Sequence, residues 1–226
     1  MRFFLLFLFS LSILHLSCHE QKEEGWVEGI VVVDSLPHSI SDSVLRAEDS
    51  IKVSALVLDF YYWYIGSAKG FKALEFNPSF EPDSLGYATL YLKKYTKNLY
   101  DHNFTDALVQ RVIERYNPCL ENLKHIKYDS LMAFEDLGQY EEINCDFGNV
   151  YDWTGGQEMI DGIRILNVKM HDDKSCVVQV RFYNVINNKI SYLSESYSTQ
   201  VHCIKEYDTW KIDNVDGFYL IPSLCL

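Results

Sequence analysis

Long apolar runs, clustered basic residues and paired-cysteine or phosphate-cradling motifs are scarce or missing in this sequence, and each absence closes off a class of function. The longest apolar stretch, residues 3–14, is interrupted by Ser10 and Ser12 and soon gives way to the polar run His19, Glu20, Gln21, Lys22, Glu23 and Glu24. A spanning helix needs about 20 apolar residues, so a transmembrane anchor is not expected. Lys and Arg total 20 against 32 Asp and Glu, a net charge of −12. Binding phosphates calls for clustered cations, so nucleic acid and anionic lipid are poor partners, and a basic protein or a neutral small ligand fits better. No CxxC pair suggests zinc or redox chemistry, and serine nucleophile elbows, phosphate-cradling glycine loops and HExxH are absent. No metal and no cofactor are expected.

What is present is a hydrophobic share of 48% and an aromatic share of 15%, enough to exclude a disordered chain. Met1 and Arg2 make a minimal positive n-region ahead of the apolar stretch, which reads as a signal peptide over residues 1–17. Small Ser17 then precedes a cysteine whose thiol can accept diacylglycerol. Leu16-Ser17-Cys18 resembles a bacterial lipobox, although His15 and Leu16 depart from the usual pattern, in which Leu stands one place earlier and a small residue follows. The resemblance implies lipidation at Cys18 and a place in the cell envelope as an outer-membrane lipoprotein, held to the membrane by its lipid. Gln21-Lys22-Glu23-Glu24 resembles the Lys-plus-acid signal that exports some lipoproteins to the cell surface, and it reads equally well as a solvated tether.

Six cysteines occur, at 18, 119, 145, 176, 203 and 225. With Cys18 acylated, five remain, so an oxidising compartment leaves at least one free thiol or an intermolecular bridge. Cys119 and Cys145, both in loop-like contexts, can pair, and Cys225 can pair with either.

Residues 18–50 read as the lipidated N-terminus and a flexible tether with one β-like run at 30–33, and residues 51–226 as the folded domain. Val53, Leu56, Val57, Phe60 and Tyr64 recur at helical spacing and predict an amphipathic helix over 53–65, stopped by Gly66 and Gly70. Residues 88–100 predict a second helix, and Thr105 can cap a third that runs to about Tyr116, where Asn117-Pro118 ends it. Loop and short helix fill 119–156. Four β-rich runs follow, 164–170, 175–185, 191–206 and 209–218, separated by turn chemistry at His171-Asp172-Asp173, Asn187-Asn188 and Tyr207-Asp208. Cys176, Val178, Val180 and Phe182 share one face of this antiparallel meander, as do Tyr197, Thr199, Val201 and Cys203. If Asn187-Asn188 sets the register, Cys176 lies opposite Thr199, and a Cys176–Cys203 disulfide would need a bulge.

Helices followed by a curved antiparallel sheet that closes on Trp210-Lys211-Ile212-Asp213 resemble a nuclear-transport-factor-2-like (cystatin-like) α+β domain, over about residues 51–218. The run Val57-Leu58-Asp59-Phe60-Tyr61-Tyr62-Trp63-Tyr64 resembles the first helix of a lipoprotein-associated subfamily of unknown function. The resemblance implies N-terminal helices packed on a cone-shaped sheet, with Trp210 and Ile212 facing the cone and Lys211 and Asp213 the solvent. That superfamily holds enzymes, ligand carriers and protein-binding modules, so it does not fix an activity.

Catalytic members use a polar residue in the cone. Asp59 edges the apolar stripe of its helix, and Glu195 shares a strand face with Leu193 and Tyr197; either can serve as a base or polar contact, and each is equally an exposed carboxylate. His102 beside Asp101 reads as a turn, and His171, Asp172, Asp173, His202 and Cys203 do not converge on one metal. Tyr62, Trp63, Tyr64, Trp153 and Tyr183, with Tyr61, can line a cavity or a protein-contact surface, or simply fill the core. The expected function is a non-enzymatic envelope-anchored binding module for a protein partner, with a basic protein as the partner and an immunity or inhibitor type as one form of it; the alternative is a small-ligand carrier or hydrolase using the cone as pocket.

Overall fold

The computed structural model describes residues 40–70, 77–147, 151–156, 159–193 and 198–217. By internal contacts the chain divides into Met1–Ile30 and Val31–Leu226, and every described residue belongs to the second unit. The expected signal peptide, Cys18, the β-like run at 30–33, Glu195, Tyr197 and Cys225 lie outside the described residues.

The fold is α+β. Helix α1, Ile40–Lys69, is 30 residues long. It begins before residue 51, inside the stretch read as tether, because Leu45, Arg46, Ala47 and Glu48 are strong helix formers that show no apolar period. It also runs through exposed Gly66, which costs about 1 kcal/mol against Ala and does not break a helix held by packing on both sides. Val53, Val57, Phe60, Tyr61, Tyr64 and Ala68 form its buried stripe.

The first departure from the expected order is a hairpin, β1 (Ser79–Pro82) and β2 (Ala88–Tyr91), where a helix over 88–100 was expected. Ala88 and Leu90 are buried and alternate with Thr89 and Tyr91, and the Asp83 carboxylate accepts from the N–H groups of Leu85 and Tyr87 to set the turn. Helix α2 therefore spans only Lys93–Asp101. Helix α3, Asp106–Arg115, has the expected cap, with Thr105 Oγ1 accepting from Leu108 N at 3.1 Å. Pro118 opens a further helix where a stop was expected, since a proline in the first turn gives up no helical hydrogen bond. That helix, α4 (Asn117–Leu123), is followed by α5 (Tyr128–Leu131) and α6 (Leu137–Glu142), and a Cys119–Cys145 disulfide closes the segment.

Five antiparallel strands form the sheet: β3 (Gly162–Met170), β4 (Ser175–Ile186), β5 (Lys189–Tyr192), β6 (Ser198–Glu206) and β7 (Thr209–Val215). Their order is β3-β4-β6-β7, with β5 also paired to β4, and the sheet is open. Asn187-Asn188 and Tyr207-Asp208 all have positive φ, as tight hairpin turns require. The run expected over 191–206 is two strands. β5 follows the register set by Asn187-Asn188, with Tyr183 opposite Tyr192, whereas β6 places Cys176 opposite Cys203 and Val180 opposite Thr199. The chain between β5 and β6 thus shifts the pairing by four residues, which corrects the Cys176–Thr199 expectation while keeping the buried face intact. Lys205 N donates to Lys174 O, so Cys176 and Cys203, two residues on, also form a hydrogen-bonded pair. Both are buried free thiols, and the contact with Cys176 together with burial holds the Cys203 thiol well above its ordinary range.

Helix and sheet meet over an aromatic core. Phe60 packs edge-on against Phe104 and Trp153, with ring centroids 4.8 and 5.5 Å away, and Tyr61 against Phe182 at 5.7 Å. Tyr61 Oη donates to Trp153 O at 3.0 Å. Trp210 and Ile212 face inward as expected, and the Trp210 indole N–H donates to Asp49 at 3.0 Å, beside Lys205. Asp213 is only half-buried and accepts from Thr105 Oγ1.

The Asp49 clamp and a second one, Asp161 paired with Lys69, give the fold a pH dependence. Partial burial pushes the Asp49 carboxyl up, but hydrogen bonds from Trp210 and Lys205 outweigh it and leave the group below its ordinary 3.8; Asp161 is lowered likewise by Lys69 and the Val185 N–H. A carboxyl depressed on folding adds stability above its unfolded value and loses it as pH falls through the folded value. The thermal midpoint is expected to fall between about pH 5 and pH 2. Asp49→Asn should melt lower at neutral pH and decline less over that interval, as followed by circular dichroism; equal slopes would rule this clamp out.

Candidate interaction site on the β4–β5 hairpin

The structure distributes the expected site residues over three places. Tyr64 and Trp153 are buried in the core, so packing accounts for them. Asp59 is an exposed carboxylate, as the plainer expectation had it, and it accepts from or pairs with His102 Nδ1 at 2.7 Å. Half-buried Trp63 lies against that imidazole at 4.5 Å. His102 caps the end of α2, while its neighbour Asp101 pairs with Lys97. The Asp59–His102 pair borders an open groove of about 400 Å³ lined by Lys52, Leu56, Asn103, Thr209 and Trp210. Tyr183 belongs to the third place, the outward face of the sheet, and exposed Tyr62 of α1 is near enough to influence its phenol.

The register builds that face. Alternation along β4 sends Val178, Val180 and Phe182 inward and Arg181, Tyr183 and Val185 outward. Arg164 of β3 lies directly opposite Arg181, and Tyr192 of β5 opposite Tyr183. Gly162, opposite Tyr183 on the other side, has no side chain because the Tyr183 ring occupies the space a Cβ would need. Tyr183 and Tyr192 meet edge-on at 6.0 Å. Burial raises the Tyr183 phenol above its ordinary range, and Tyr62, Tyr192 and Asp161 nearby raise it further.

Both guanidinium groups converge on Tyr192: Arg164 Nη1 donates to its hydroxyl at 3.1 Å, and the Arg164 and Arg181 centres stand 5.8 and 5.2 Å from its ring centroid. Arg181 also donates twice to Leu193 O. Beyond the tyrosines, Val185 faces Ile190 across the hairpin, and Val185, Ile186, Ile190 and Tyr192 are 47, 57, 45 and 37% exposed. Arginine and tyrosine are among the residue types that carry most binding energy at protein interfaces, and here they stand beside exposed apolar surface. Of this cluster, sequence reasoning reached Tyr62 and Tyr183 and missed Arg164, Arg181, Val185, Ile190 and Tyr192. The available signal was the Val-Ile-Asn-Asn-Lys-Ile run, which puts aliphatic residues on both sides of a two-residue turn with nothing left to cover them.

Among the described residues, no group of three or more His, Cys, Asp or Glu is arranged to hold a metal, and no helix is long and apolar enough to cross a membrane. His202 pairs with Asp216 on the face opposite Cys203. Comparison with models of protein families, with curated proteins and with solved structures returns no match.

Proposed function

We propose that this chain is an envelope-anchored lipoprotein whose nuclear-transport-factor-2-like domain is a non-enzymatic binding module for a protein partner, of immunity or inhibitor type. The observation that carries the reading is where the aromatic residues are. Phe60, Tyr61, Trp153, Phe182 and Trp210 fill the space between α1 and the sheet, so a ligand-holding cone has no room there. Tyr62, Tyr183 and Tyr192 stand instead on a surface that a second macromolecule can cover. The Asp59–His102 groove is the feature left for a carrier or hydrolase, and it is open to solvent with no serine or cysteine in its lining.

Net charge of −12 favours a partner that is basic overall, because long-range attraction speeds encounter even where the final contacts are of other kinds. Affinity capture from envelope extracts at low and high salt, with the wild-type chain and with Ile190→Asp as bait, tests the reading. A partner retained by the wild type and lost by Ile190→Asp is expected; recovery of none under either condition overturns it. In the same cells Cys18→Ala should move the protein from the membrane to the soluble fraction, and unchanged fractionation would overturn the anchor.

A further inference from the structure

We infer that the β4–β5 hairpin takes an acidic extended segment of its partner, which adds as a strand to the open edge of β5 and sets a carboxylate against the guanidinium groups of Arg164 and Arg181. This deepens the protein-binding reading above and rests on it.

Three observations converge. First, Arg164 and Arg181 are directly opposed on neighbouring strands, an arrangement that repels unless an anion offsets it. Among the described residues neither forms an ion pair with a carboxylate, whereas Lys69, Lys97, Arg115, Lys124, Lys205 and Lys211 each do. Other cations, Arg111 and Lys127 among them, also form no ion pair among the described residues, but these two arginines face each other directly and gather on one ring, where an outside anion can offset both charges.

Second, β5 has a usable edge. Leu193 N donates to Phe182 O, so by alternation Lys189 and Ser191 also turn their backbone groups toward β4, and Ile190 and Tyr192 turn theirs outward. Among the described residues β5 pairs with β4 alone. Open edges of this kind accept strands from other chains.

Third, the side chains along that edge alternate in a way that specifies the guest. Tyr192, with the two guanidinium groups gathered on it, and Ile190 share the outward face, so an added strand meets a cationic aromatic position and an aliphatic one two residues apart. An acidic side chain followed two residues later by an aliphatic one answers both.

The probe is a fluorescein-labelled octapeptide of repeating Glu-Ser-Val-Ser, which sets Glu and Val two residues apart on one strand face, with its Lys-Ser-Val-Ser counterpart as control, read by fluorescence anisotropy against the full chain in detergent at low salt. The Glu peptide is expected to bind at least ~10-fold more tightly than the Lys peptide, as one desolvated charge pair supports. Arg164→Gln, an exposed position, should lower that affinity about tenfold. Ile190→Pro, which removes an outward N–H and none that β4 uses, should lower it comparably. Equal affinity for the two peptides, binding of phosphatidylglycerol vesicles without binding of the Glu peptide, or wild-type affinity in either variant overturns the inference. If captured partners are held equally by wild type and Arg164→Gln, protein binding stands and this contact falls.

Discussion

Arg115→Met is expected to destabilise the domain by about 3–5 kcal/mol, the cost of leaving one partner of a buried ion pair unpaired. Arg115 Nη2 lies 2.8 Å from Asp152 Oδ1, with side-chain exposures of 11% and 2%. The phenols of Tyr64, Tyr95 and Tyr116 surround the pair, and burial pushes all three well above their ordinary range. Burial likewise pushes the Asp152 carboxyl up, and Arg115 opposes that push. Without the arginine the carboxyl rises further and takes a proton in the folded state. A group raised on folding contributes its full stability below the unfolded value and loses it as pH rises through the folded one, so the deficit against wild type should be small below 3.8 and complete at neutral pH. Arg115→Met/Asp152→Leu removes both charges and should recover most of the loss. Urea titrations of the three proteins at acid and neutral pH measure this. A double variant no better than the single one would mean that the ion pair itself, and not the stranded carboxylate, holds the site.

Cys119→Ser/Cys145→Ser is expected to cost about 3.5 kcal/mol, the chain-entropy value for a loop of that length. The two half-cystines are 26 residues apart and both buried, and they join α4, in which Cys119 lies, to the chain just after α6. Asn122 Nδ2 donates to Ile143 O at 2.9 Å across the same span, one of few other ties between its ends. Amide exchange should therefore quicken first over residues 117–145, and reducing the wild-type protein should reproduce the variant's urea midpoint. A midpoint unmoved by reduction would show that packing alone suffices there.

How far the sequence could be read follows from which forces set each element. Val53, Val57, Phe60 and Tyr64 announce their helix because one face is buried, and Cys176 to Phe182 announce their strand for the same reason. Thr105, Asn187-Asn188 and Tyr207-Asp208 were legible because caps and tight turns are local chemistry. Residues 40–50 were not, since their helix is carried by intrinsic propensity and by Asp49 reaching Lys205 and Trp210, contacts more than 150 residues away. Ala88–Tyr91 misled because four residues satisfy helical and strand periods alike, and the Asp83 turn decides between them. The same limit hid the arginine–tyrosine cluster. Arg164, Arg181 and Tyr192 meet only through strand pairing, and the four-residue shift between β5 and β6 could not be counted from the turns.

The Asp49 clamp also gives the domain a polarity. It ties the early part of α1 to Lys205 and Trp210, next to the Tyr207-Asp208 turn. Asn187-Asn188 caps the other end, separated by the twelve residues of β4, roughly 40 Å of strand. A body that met the domain at the Tyr207-Asp208 end would therefore leave the Asn187-Asn188 turn, with Val185, Ile186 and Ile190 beside it, as the part farthest away.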